Sequence, residues 1–390
     1  MIRAMTAYTR EIDDAETAVS EIREQMEAGG GLLRNTVGFL TCYSDFLESG
    51  TVREICGALP FEVIGSTTLS SATEGSSGEL LLTLMVLTSD DVSFSVGLTG
   101  PILSEDPTPL REAYESALAA GGAEKPALMI TFAPLLMNVG GDFYVNSFTE
   151  ISGGTPNFGM MAVDHNSDYH ETRVIRNGEA WADRCAFVLL FGEVRPRFFM
   201  ASISPEKIFR EKGVVTDSRG NQLRTVNGRP VTEYLRSIGL NRDENETIVG
   251  INSFPFIVDY NDGTLPVVRI MFANTPEGYA VCGGDIPVGA TLSVGSINAE
   301  EVVATTGKTL TATLADGKCD CLLMFSCVGR YFTLGYEPMI EIDKVREILS
   351  AAGIPWQLTY SGGEFCPVRA RSGEAITNRS HNDTIVICAL

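Results

Sequence analysis

One composite pattern occurs three times in this 390-residue chain, and it limits the possible fold more than any other feature. Each copy opens with an apolar run that ends in small or polar residues. Thr36 to Leu40 leads into Thr41-Cys42-Tyr43-Ser44, Pro126 to Phe132 into Ala133-Pro134, and Cys319 to Phe325 into Ser326-Cys327-Val328-Gly329-Arg330. A partly helical stretch follows, then a short strand that runs into small residues. These strands are Phe61 to Ile64 before Gly65-Ser66-Thr67-Thr68, Glu150-Ile151 before Ser152-Gly153-Gly154, and Trp356 to Tyr360 before Ser361-Gly362-Gly363-Glu364. An apolar return strand closes each copy, over Leu80 to Leu87, Cys185 to Phe191 and Thr384 to Ala389. Short apolar runs bounded by turn residues read as buried strands, and strand, helix, strand reads as a crossover between parallel neighbours. The expected fold is α+β: mixed β-sheets with flanking helices, made of repeated strand-helix-strand-strand units in two packed modules. Ligands of such sheets settle outside the carboxyl ends of the strands, which here are the glycine-rich turns.

Outside the repeats the chain carries other signals. A helix reads as the first element, with Asp13 or Asp14 as its cap, Ala15, Ala18, Val19, Ile22 and Met26 on its buried face, and Gly29-Gly30-Gly31 as its stop. In the third copy Asp343 caps a helix with Val345, Ile348, Leu349 and Ala352 inward, ended by Gly353 and Pro355. Between the second and third copies, Gly213 to Gly228 alternates polar and apolar residues around glycine turns, as hairpins do. Pro230 then opens a helix through Val231, Tyr234, Leu235 and Ile238, and further strands read over Phe256 to Val258, Val267 to Phe272, Tyr279 to Val281 and Thr291 to Val294. A boundary near Gly228 divides the chain into an N-terminal helix (1–28), an N-terminal module (29–228) and a C-terminal module (229–390).

Charge and composition remove several functions. Twenty-nine Lys and Arg against 50 Asp and Glu leave a net charge of −21, which repels polyanions, so no nucleic-acid partner is expected. The longest nearly apolar run, Pro126 to Met137, is far short of the ~20 residues of a membrane span, and the first residues lack a signal peptide's apolar core. No membrane insertion and a cytoplasmic location are expected. Nine cysteines, mostly inside apolar runs, read as reduced core thiols. Cys319 and Cys321 have no second pair or paired histidines to complete a metal site, and the glycine pairs make no phosphate-binding loop, so neither metal nor cofactor is expected. His165 and His170 read as part of a solvated turn.

The segment Val214 to Tyr234 resembles the join between the two modules of the FIST-domain family of sensory proteins. Ser253 to Val258 with Asp262-Gly263 and Val267 to Arg269 is similar to the start of that family's C-terminal module. Phe325 to Arg330, Tyr360 to Glu364 with Pro367, and His381-Asn382 with Thr384 resemble its later motifs. The likeness runs over roughly residues 30 to 390. In the first module Val63 to Thr67 fits, but the acidic residue expected after it is displaced to Glu74. The resemblance implies small-ligand sensing in intracellular signalling, with amino acids among the proposed ligands and a separate signalling protein as output.

Two chemistries fit the residues at the strand ends. In the first, Arg330 grips a ligand carboxylate and Glu364 its ammonium, while Ser326, Cys327, Gly362, Gly363, His381 and Asn382 complete a pocket for an amino acid or small carboxylate, without catalysis. Arg330→Ala would then weaken carboxylate ligands by roughly 1.5–3 kcal/mol without unfolding the protein. A bland version pairs Arg330 with Glu364 as a structural ion pair, and has His381 and Asn382 cap a turn. In the second, Cys327 is a nucleophile with His381 as its base and Asn382 or Glu364 orienting the ring, as in a hydrolase or transferase. Against it, Phe332 to Gly335 does not read as the helix that usually follows such a cysteine. A docking module without any ligand is a third possibility.

Overall fold

The computed structural model describes residues 2–390 apart from Ala123, Ser167, residues 241–252, Pro276, Ser372 and Glu374. The three sequence copies are three structural units. The first comprises β1 (Arg3–Thr9), α1 (Ala15–Ala28), β2 (Asn35–Cys42), α2 (Asp45–Glu48), α3 (Thr51–Gly57), β3 (Glu62–Thr67), β4 (Ser71–Thr73), β5 (Ser77–Gly78) and β6 (Leu82–Ser89). The second comprises β7 (Ser93–Leu98), α4 (Thr108–Ala120), β8 (Leu128–Ala133), α5 (Gly141–Ile151), β9 (Asn157–Met161), β10 (Val174–Arg176), β11 (Glu179–Trp181) and β12 (Ala186–Phe191). The third begins with β13 (Arg197–Ala201) and is interrupted by an inserted sheet. The insertion holds β14 (Gly213–Arg219), β15 (Gln222–Val226), β16 (Arg229–Pro230), α6 (Val231–Ser237), β17 (Phe256–Asp259), β18 (Val267–Arg269), β19 (Met271–Asn274), β20 (Ala280–Cys282) and β21 (Thr291–Val294). The unit resumes with α7 (Ala299–Ala315), β22 (Leu322–Cys327), α8 (Val328–Leu334), α9 (Ile340–Leu349), β23 (Trp356–Ser361), β24 (Glu364–Arg369), β25 (Ile376–His381) and β26 (Ile385–Ala389).

Each unit builds a six-stranded sheet in the same order, yet none completes its own. The sheets run β1-β6-β2-β3-β10-β11, β7-β12-β8-β9-β24-β25 and β13-β26-β22-β23-β4-β5. The middle pairs β2–β3, β8–β9 and β22–β23 are parallel, as the crossover reading requires. The terminal hairpin of every sheet comes from another unit: β10–β11 from the second, β24–β25 from the third, β4–β5 from the first. The exchange is cyclic and closes on itself.

Period-two alternation decides what lies between the sheets. In the first sheet Val37, Phe39, Ile64, Met85 and Leu87 enter a core shared with Ile130, Phe132 and Phe158 of the second and Leu323, Phe325 and Val386 of the third. Rings from all three meet there: Phe39 lies 6.2 Å from Phe132, Phe132 5.9 Å from Phe325, and Phe325 5.0 Å from Phe158. The alternate residues face outward onto helices. Leu40, Val63 and Leu84 pack on α1 and α3, Met129 and Phe187 on α4 and α5, and Met324 and Leu358 on α8 and α9. The insertion has its own core around Leu223, Leu235, Phe256, Leu292 and Val294. It docks on the second sheet and its helix α5 through Arg269, whose guanidinium donates to Asp142 at 2.9 Å and to the Ser380 carbonyl of β25 at 2.7 Å.

Four expectations are corrected. The chain opens with β1, not with a helix; α1 follows, and Asp14 caps it by accepting from the Thr17 N–H at 3.0 Å. Glu150-Ile151 ends α5, because Tyr144, Val145 and Phe148 bury one helical face; the parallel strand is β9, after the glycines. The third-unit helix starts at Ile340, ahead of Asp343. The residues after Cys327 are helical, as α8. The boundary at 228/229 falls in the turn between β15 and β16, inside the inserted sheet. Among the described residues no helix is long and apolar enough to cross a membrane.

Candidate functional site

The second parallel strands of the three units end at one pole and are tied together by backbone bonds. Val163 N–H donates to Thr67 O at 3.3 Å, Gly362 N–H to Met161 O at 2.9 Å, and Tyr360 N–H to Ser70 O at 3.1 Å. Glycine is needed where the second and third units meet. A Cβ on Gly362 would lie 2.9 Å from the Ala162 carbonyl, and Gly363 sits at φ +153. These two glycines close a seam between units.

Arg330 is fully buried and held by groups of the protein itself, which corrects its expected role. Its Nε and one terminal nitrogen donate to Glu341 Oε1 at 3.1 and 2.8 Å, and the same nitrogen reaches Thr306 at 2.8 Å and the Val302 carbonyl at 2.9 Å. The other Glu341 oxygen accepts from Ser326 and from Tyr360, both at 2.9 Å. The partner of Arg330 is therefore Glu341, eleven residues on, and neither a ligand carboxylate nor Glu364. This knot pins α7, α8 and α9 to β22 and β23, and Ser326 belongs to it.

Beside the knot lies a group with the opposite character. Glu364, at the start of β24, accepts a hydrogen bond from Ser361, but its Oε2 has no partner. Asp383 stands at φ +53 in the turn between β25 and β26, 1% exposed, and neither carboxyl oxygen has a partner. Cys327 ends β22 between them. A Cβ added to Gly329 would lie 3.3 Å from Asp383 Oδ1 and 3.7 Å from Cys327 Sγ, so both atoms lie against that glycine. Burial pushes the Glu364 carboxyl well above the usual carboxylate range; Ser361 opposes the push and Asp383 adds to it. Burial likewise raises Asp383 to about 7, against the pull of Arg330. The Cys327 thiol is driven well above its ordinary value by burial, then by Glu364 and Asp383.

His381 and Asn382 are placed differently. The His381 ring shares a hydrogen bond with the Cys366 carbonyl through Nε2 at 3.0 Å, which makes Nε2 the protonated nitrogen and leaves Nδ1 bare. Burial lowers its pKa to about 3. Asn382 Nδ2 donates to the His381 carbonyl at 3.0 Å, and its Oδ1 faces Gly283 of the insertion, where a Cβ would come within 2.4 Å. Among the described residues no hydrogen bond joins Cys327 to His381, so the nucleophile-base pair is not assembled. Iodoacetamide at neutral pH should therefore modify half-buried Cys319 first and leave Cys327 intact by mass spectrometry; rapid labelling of Cys327 would restore the nucleophile reading.

Asp383 and Ser361 were missing from the sequence-derived set. The signal for Asp383 was local: a His-Asn-Asp-Thr turn between two strands, where Asp tolerates a positive φ. No group of three or more His, Cys, Asp or Glu among the described residues is arranged to hold a metal ion. A surface cleft of about 490 Å3 lies elsewhere, at the amino end of β23, between Glu74, Arg346, Leu349, Ile354 and Trp356.

Comparison with known proteins adds the following. The model of the FIST N domain matches residues 36–229 and that of the FIST C domain residues 230–367. No curated protein matches the chain. Among solved structures, cyanuric acid hydrolase from A. caulinodans is similar at a TM-score of 0.33 and 11% identity, over 100% of this chain and 99% of that one. PurL of T. maritima complexed with FGAR gives 0.22 and 8%, over 99% of this chain and 72% of that one. At such scores neither likeness carries an argument about fold or activity.

Proposed function

This chain belongs to the FIST family, whose domains are small-ligand sensory domains in signalling, and from that premise we propose that its ligand is received at the carboxyl ends of β22 and β23, among Cys327, Ser361, Glu364 and Asp383. The observation that carries the reading is a single one: apart from the Cys327 thiol beside Glu364, three carboxyl oxygens on two buried side chains have no hydrogen-bond partner. Buried polar groups are paired in folded proteins, because an unpaired one costs about 1–3 kcal/mol and an unpaired charge costs more. Unmet acceptors of this kind are what a binding site keeps at the expense of stability.

The pocket differs from the one expected from sequence. Its carboxylate grip is gone, since Arg330 is held by Glu341, and Ser326 is held in the same knot. The acidic half remains. His381, Asn382, Gly362 and Gly363 shape the surroundings by fixing β24, β25 and the seam to the second unit. The output is a change in how the strand-end turns sit, read by a separate signalling protein.

A thermal-shift screen of amino acids, amines and small carboxylates tests this. A ligand at ~100 times its dissociation constant should add about 2.7 kcal/mol to stability, and Asp383→Asn should abolish the shift. A shift that persists undiminished in that variant would place the ligand elsewhere.

A further inference from the structure

We propose that Glu364, Asp383 and Cys327 enclose a site for a small protonated amine, ammonium or methylammonium, recognised through its N–H donors. The proposal rests on the reading that the strand-end cluster is the sensory site, and it names the ligand's chemistry. Three carboxyl oxygens there have no nitrogen or oxygen partner, Glu364 Oε2 and both of Asp383, while Cys327 Sγ accepts from the Gly329 and Asp383 N–H groups and turns its S–H to Glu364. A ligand carboxylate would be repelled by these oxygens, and the nearest guanidinium is committed to Glu341, Thr306, Val302 and, at 3.4 Å, the Ser202 carbonyl. An ammonium nitrogen offers donors alone and supplies the charge that two buried carboxyls lack.

The space is small. At the Gly329 side, one methyl group would already approach Asp383 Oδ1 to 3.3 Å and Cys327 Sγ to 3.7 Å. Ammonium, no larger than that methyl, is the cation this spacing admits with least displacement, and methylammonium would put its methyl at the same place. A quaternary amine has neither the size nor the donors.

Proton balance follows from the same cluster. The groups facing the site are Glu364 on β24, Cys327 on β22, Asp383 in the last turn, Arg330 on α8 balanced by Glu341 on α9, Tyr360 on β23, and Tyr169 of the loop after β9, beside Cys327. Arg330 and Glu341 cancel, and below about pH 7 the Asp383 carboxyl holds a proton that an arriving cation displaces. Binding then releases a proton to solvent, and affinity rises with pH.

The test is calorimetry and thermal shift of the full-length protein with ammonium and methylammonium chloride at constant chloride. Potassium and tetramethylammonium chloride serve as controls. The expected result is saturable stabilisation by the first two, with an affinity gain of about tenfold or more from pH 6 to pH 8. Gly329→Ala fills the gap and improves a helical position, so the protein should fold and lose affinity at least tenfold. Asp383→Asn should lose binding. Equal effects of potassium or tetramethylammonium, unchanged affinity in Gly329→Ala, or no saturable response to either amine would overturn the proposal. A neutral or carboxylate ligand that depends on Asp383 would overturn it too, while leaving the sensory reading intact. If no compound of any class binds through Asp383, both fail.

Discussion

Arg330→Ala is expected to destabilise the protein by about 3–5 kcal/mol in urea denaturation, because it strands a buried carboxylate. Glu341 is 0% exposed, and Arg330 is its one cationic partner among the described residues. Removing the guanidinium also takes one of the donors from the Val302 carbonyl and leaves a cavity among α7, α8 and α9. The sequence reading gave the opposite outcome, a ligand defect in a stable protein. The two are separable in one measurement. A midpoint within a few tenths molar of wild type would show that the knot is not structural. Glu341→Gln keeps the shape and removes the negative charge, so it should cost stability through the uncompensated Arg330.

The second large effect has the reverse sign. Asp383→Asn should raise stability at pH 8 by roughly 2–4 kcal/mol, from the ~1.4 kcal/mol per pKa unit between the folded and unfolded values. The carboxyl titrates at about 7 in the folded protein and near 3.8 when unfolded. The folded state therefore keeps a proton that the unfolded chain has lost. Its contribution is fully present below about pH 4 and is lost as pH rises through 7. Asparagine never ionises and tolerates positive φ, so the variant avoids that loss, and its advantage shrinks as the pH falls toward 4. His381 works in the other direction: with a folded pKa of about 3 against 6.5, its contribution is present above pH 6.5 and is lost as pH falls toward 3. Denaturation at pH 5 and pH 8 decides the matter. A variant less stable than wild type at both values would mean that Asp383 has a partner and is not held for a ligand.

Much of the fold could be read because apolar runs are local. The first parallel strands, the returns and α1 follow from residues that are neighbours in sequence. The helix α7 could not be read this way. It contains Thr305, Thr306, Thr309, Thr311 and Thr313, and β-branched residues argue for strand. Three of the hydroxyls are absorbed by carbonyls four residues back, at 2.7 to 2.9 Å. Hairpin exchange was also invisible, since Ala72 pairs with Leu358 across most of the chain and the donated strands β4 and β5 are short and polar. The site was half legible. Glycines and carboxyls at strand ends pointed to Glu364 and Cys327, but residue types do not say which carboxylate claims a guanidinium. Glu341 took Arg330 because α9 folds back over β22, a tertiary fact.

The cyclic hand-over of terminal hairpins bears on how such a chain could arise. Each third supplies one hairpin to a neighbour and receives one from the other, so three identical short chains could close the same ring as a swapped trimer. Tandem fusion of those copies would give the connectivity described here without breaking a single strand pair. Fusion would also release the copies from symmetry. One third then accommodates an extra sheet between its edge strand and its first long helix, and gathers Cys327, Glu364 and Asp383 at its pole, where the second third keeps a buried carboxyl in Asp164.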